Sequence, residues 1–83
     1  MTAGNEPNER RAAAQLLKTL DSYEDRLLNE FSRVERELIA LRDASTGEAA
    51  DHVTRLLETL QEKEAAFKVD MKSRRRSLKK QAR

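Results

Sequence analysis

Residues 43–49 read DASTGEA, and the way this stretch is taken decides the fold. On its N-terminal side, up to Arg42, apolar residues fall on a seven-residue grid. Ala13, Leu20, Leu27, Val34 and Leu41 form one series, Leu17, Phe31 and Leu38 the other, and Glu24 interrupts the second. On its C-terminal side a new grid begins, with Ala50, Leu57, Met71 and Leu78 in one series and Val53, Leu60 and Phe67 in the other; Glu64 and Arg74 are its polar exceptions. If the first grid ran on, Ser45, Glu48, His52 and Arg55 would occupy core positions. A shift of this size is not repaired by inserting three or four residues into a continuous coil, so the stretch is read as separating two helices, the alternative being one long helix with a local defect.

Its chemistry fits a stop and a restart. Gly47 lowers helix propensity, and Ser45 with Glu48 three residues on matches the capping box, in which the two side chains satisfy each other's unpaired backbone donors. The expected organisation is a flexible lead over 1–7, helix 1 over about 8–43, a turn over about 44–47, helix 2 over about 48–78 and a basic, fraying tail over 79–83. Pro7 suits a first helical turn.

Two helices joined by so short a connection pack antiparallel, so the fold class is all-α, an antiparallel two-helix hairpin of coiled-coil type. Folding the chain about its turn sets Leu41 beside Val53, Val34 beside Leu60, Leu27 beside Phe67 and Leu17 beside Leu78. Glu24 then comes level with Met71 and Arg74, and a Glu24 to Arg74 pair is expected to fix the register.

Such a hairpin leaves one side of its seam open. Leu16, Tyr23, Leu28, Ile39, Leu56 and Val69 lie off the strict grid and widen the apolar stripe, the pattern of helices covered by a further layer. A twofold homodimer forming a four-helix bundle meets this need, with Leu16, Tyr23, Leu27, Leu28, Phe31, Leu56, Leu60 and Phe67 as the expected interface. A helix from another protein would satisfy the same physics.

The composition narrows the function. With 39% charged residues, one His and no Cys, disulfides and thiolate metal sites are excluded, and a reducing compartment is permitted. No apolar run approaches the roughly 20 residues that span a bilayer, and MTAGNEPNERR at 1–11 lacks the apolar core of a secretory signal, so a cytoplasmic protein without a membrane partner is expected. No phosphate-cradling glycine loop or nucleophile elbow occurs, the carboxylates alternate with Lys and Arg on outward faces, and His52 points away from both core series. The expectation is a non-enzyme with no cofactor, no metal and no small-molecule substrate.

Charge is distributed unevenly. Residues 1–70 hold ten Lys and Arg against fifteen Asp and Glu, whereas 71–83 (MKSRRRSLKKQAR) hold seven basic residues and no acid. Lys72, Arg74, Arg75, Arg76, Lys79, Lys80 and Arg83 form the candidate nucleic-acid contacts, joined at the same end of the hairpin by Arg10, Arg11 and Lys18. Guanidinium forks suit phosphate oxygens, but no aromatic side chain sits among them to stack on bases, so sequence-independent binding of DNA or RNA is expected. The competing reading is a coiled-coil assembly module or secretion-type chaperone whose seam a partner helix completes. Helix-dipole capping and solubility would also account for a basic tail.

Overall fold

The computed structural model describes residues 6–82. Two helices, α1 (Glu6–Ala44) and α2 (Gly47–Ala82), lie side by side and antiparallel, joined by Ser45 and Thr46. The rod measures 66 × 16 × 14 Å. Its length follows from α1, whose 39 residues span about 58 Å at ~1.5 Å per residue.

α1 begins two residues before the expected start, with Pro7 in its first turn, where a missing N–H leaves no helical bond unmade. Residues 1–5 of the expected lead lie outside the described residues. α2 continues through Ala82 instead of fraying from Lys79, because Lys and Gln are good helix formers and Lys79 and Lys80 in the last turn oppose the negative end of the helix dipole. Arg83 lies outside the described residues.

The turn is tighter than expected and uses Ser45 differently. Ser45 N–H donates to the Arg42 carbonyl at 3.1 Å, and its Oγ donates to the Leu41 carbonyl at 2.7 Å. Ser45 therefore serves the unpaired carbonyls at the end of α1, and among the described residues no backbone N–H of α2 donates to its hydroxyl, so the capping box with Glu48 does not form. Gly47 adopts φ 61°, in the left-handed region that costs an L-residue about 1–2 kcal/mol, and this reverses the chain. Glu48 remains in the first turn of α2, where a carboxylate favours the dipole.

The buried apolar side chains among the described residues are Ala13, Val53, Leu57 and Met71, all on the seven-residue grids. The aromatic pairs report the register. Phe67 packs between Tyr23, edge on at a centroid distance of 6.0 Å, and Phe31, tilted at 5.8 Å, which places it at the level of Leu27 as expected. Leu41, on the grid at the loop end, is 52% exposed although Val53 is covered. Off the grid, Leu28 and Ile39 are half-buried, while Leu16, Tyr23, Leu56 and Val69 stay exposed.

Candidate functional site

The two sides of the seam differ. On one side a clamp ties the helices together: the Arg75 guanidinium donates to Asp21 Oδ1 through Nη2 at 2.9 Å and Nε at 3.2 Å, and Nη2 also donates to Glu24 Oε1. The Arg75 and Glu24 side chains are only 26% and 18% exposed, whereas Asp21 is 64% exposed. Glu24 thus finds its basic partner across the hairpin, but in Arg75 and not Arg74. Arg74 pairs within its own helix, its Nε 2.9 Å from Asp70 Oδ2. The hydrogen bond to Glu24, followed by that to Asp21, raises Arg75 above the ordinary arginine range despite some desolvation; the bond to Asp70 raises Arg74 likewise. Because the folded value lies above the unfolded one, the clamp's contribution is fully present below the ordinary arginine value and is lost only as pH rises through the raised one.

The basic cluster therefore divides. Arg74 and Arg75 are committed to ion pairs, while Lys72, Arg76, Lys79 and Lys80 are exposed and form no ion pair among the described residues. Their spacing of four, three and one along α2 keeps them within about 100° of one helical face, turned away from the buried Met71 and half-buried Leu78. Exposed Lys68, four residues before Lys72, extends the stripe, and the i, i+4 spacing was the signal that would have found it. Arg10, Arg11 and Lys18 are exposed near the start of α1, at the same end of the rod.

The other side of the seam carries an open apolar groove in two parts. The larger, about 530 Å³, lies at the end of the rod where the helices begin and finish, and is lined by Leu16, Thr19, Leu20, Tyr23, Ser73, Arg74, Ser77 and Leu78. Thr19 turns its hydroxyl to the Gln15 carbonyl at 3.2 Å, which satisfies its polar atom on its own helix. The smaller part, about 180 Å³, lies between Leu27, Glu30, Phe31, Val34 and Leu60. Of the expected interface residues, Leu16, Tyr23, Leu27, Phe31 and Leu60 line this groove. Phe67 packs against Tyr23 and Phe31 between its two parts. Leu56 shares its side of α2 with Ser77, three seven-residue repeats on, whereas Leu28 follows Asp21 by seven and belongs to the side of the clamp.

Among the described residues no group of three or more His, Cys, Asp or Glu is placed to hold a metal ion, and no helix is long and apolar enough to cross a membrane. His52 is exposed in the second turn of α2. No known protein family, curated protein or solved structure matches the chain.

Proposed function

We propose that this chain is a non-enzymatic helical adaptor that self-associates through its open groove and binds a polyanion, in the first place nucleic acid, through the basic end of its rod. The observation that carries the binding half is the stripe of Lys72, Arg76, Lys79 and Lys80, exposed, unpaired among the described residues and aligned on one outward face. Basic side chains that only satisfied local carboxylates would resemble Arg74 and Arg75; Lys79 and Lys80 also oppose the helix dipole in the last turn of α2, but Lys72 and Arg76 lie before it. A row of free cations spaced along a helix instead neutralises successive phosphates, and the release of their counterions drives association without reading bases. Arg10, Arg11 and Lys18 add to the same field.

Self-association rests on surface. The chain exposes 6538 Å², against roughly 5,000 Å² for a compact folded monomer of its mass. The excess exceeds the ~800 Å² that each partner gives up in an interface of standard size.

The test of binding is fluorescence anisotropy of a labelled duplex of arbitrary sequence, titrated at several salt concentrations. Replacing Lys72, Arg76, Lys79 and Lys80 by Gln leaves the clamp and the seam in place. The log–log salt slope should fall by about 3 to 4 on that replacement, at about 0.9 for each phosphate that is no longer neutralised. An unchanged slope and affinity would sink the basic-end reading. Deletion of 72–83 is a poorer test, since it also removes Arg75 and Leu78 from the fold.

A further inference from the structure

We propose that the groove is covered by a second copy of this chain, stacked antiparallel about a twofold axis at the level of Leu27 and Phe67, so that the turn of each copy lies over the terminal end of the other. This rests on the self-association read above and assigns its face and direction.

Three observations converge on that arrangement. The first is the position of the exposed apolar groups. About Phe67, Leu56 and Leu78 are equally spaced, each eleven residues away, so the twofold lays exposed Leu56 of one copy on the Leu78 wall of the larger groove of the other. About Leu27, Leu20 and Val34 are equally spaced, as are Tyr23 and Phe31, so the larger and smaller parts of the groove cover each other along α1. Stacking with both turns at the same end would set Leu56 near Glu37 and leave the larger groove facing its own image.

The second observation is charge. Residues 71–83 carry seven basic side chains and no acid, while 33–58, on both sides of the turn, carry six acidic residues against Arg33, Arg36, Arg42 and Arg55. Antiparallel stacking sets the acidic end of each copy beside the basic end of the other; parallel stacking would bring two basic ends together. The third is size. The groove face from the level of Leu16 to that of Leu56 covers about 22 residues, or ~33 Å, by the ~20 Å width of two helices, a footprint close to that of a standard interface.

The arrangement has a functional consequence. It places one basic stripe on each half of the dimer, their centres about 27 Å apart along the rod at ~1.5 Å per residue, so a single dimer holds two polyanion segments apart and bridges them.

The chain has no cysteine, so introduced pairs report directly on the stacking. Lys63 and Asp70 are exposed on the groove side of α2 and lie on either side of Phe67. In the double variant Lys63→Cys with Asp70→Cys, mild oxidation should convert most of the chain to a covalent dimer on a non-reducing gel. A bond within one copy is ruled out, because residues seven apart on a helix are separated by about 10.5 Å, beyond disulfide reach. The comparison, a mixture of the single variants Glu30→Cys and Lys63→Cys, which cannot close a bond within one copy, should form far less dimer, since these positions meet between copies only in parallel stacking. Light-scattering mass is measured on the unmodified chain. A dimer by mass in which the double variant stays uncrosslinked, or in which the mixture crosslinks instead, overturns the stacking and leaves self-association intact. A monomeric mass with neither the double variant nor the mixture crosslinked overturns both, and leaves the groove to the helix of another protein.

Discussion

Removing the Arg75 fork should destabilise the hairpin by about 1.5 kcal/mol, and the structure explains how this loss is shared between its two carboxylates. The arm to Asp21 spans 2.9 Å, and Asp21 is 64% exposed. At the dielectric of water the Coulomb term across that distance is about 1.4 kcal/mol, most of it offset by ordering two side chains. The arm to Glu24 matters more, because Glu24 interrupts an apolar series and is only 18% exposed. Arg75→Met keeps the aliphatic stem and leaves that carboxylate without its partner, which costs about 1 kcal/mol or more. Glu24→Leu restores the grid and removes the need for a partner, so it should be neutral within about 0.5 kcal/mol or stabilising. The double variant should then lie near the wild type, with a coupling energy of about 1 kcal/mol. Urea unfolding followed by far-ultraviolet ellipticity, at one fixed protein concentration, reads all four states of the cycle. Additive single and double variants, or a Glu24→Leu variant less stable than Arg75→Met, would refute the clamp.

Three further outcomes follow from named contacts. Gly47→Ala should cost about 1 kcal/mol in the same assay; no atom lies within 4 Å of the added Cβ, so the loss is backbone strain at φ 61°, and no loss would mean the turn does not use the left-handed region. Phe67→Ala removes the ring between Tyr23 and Phe31 and should cost about 3 kcal/mol while abolishing the near-ultraviolet signal of Tyr23; a cost under about 1 kcal/mol would show that this aromatic stack does not organise the seam. Two duplexes carrying different fluorophores should transfer energy to each other when the chain is added at low salt, and the Lys72, Arg76, Lys79 and Lys80 to Gln variant should abolish the transfer; equal transfer by the variant would disconnect bridging from the stripe.

Much of the hairpin was legible because burial repeats with the geometry of a helix. Two grids out of phase across 43–49 specify two helices and a turn, and matching them sets Phe67 at Leu27, where the aromatic contacts with Tyr23 and Phe31 put it. The details that escaped are ones in which periodicity gives a level along the rod but no lateral side. Glu24 is level with the arginine run, yet reaches Arg75 because Asp21, three residues before Glu24, lies on the same side and offers a second acceptor for one fork. Arg74 occupies the seam series, but a long side chain leaves it easily, and Asp70 four residues before holds it on its own helix. Ser45 is equally suited by sequence to end α1 or begin α2, and only the tightness of a two-residue connection assigns its hydroxyl to Leu41. The expected basic site was legible as a composition shift, but its division into paired and unpaired cations depends on which carboxylates the fold brings within reach.

Sedimentation equilibrium of the intact, unlabelled chain over a range of loading concentrations tests the central claim most directly, because the proposed covering of the groove and the proposed doubling of the basic stripe both rest on a second copy. The account predicts a single species near 19 kDa, twice the 9.5 kDa of the chain, that holds its mass from high concentration into the low micromolar range. A species that remains at 9.5 kDa across the whole range would contradict it.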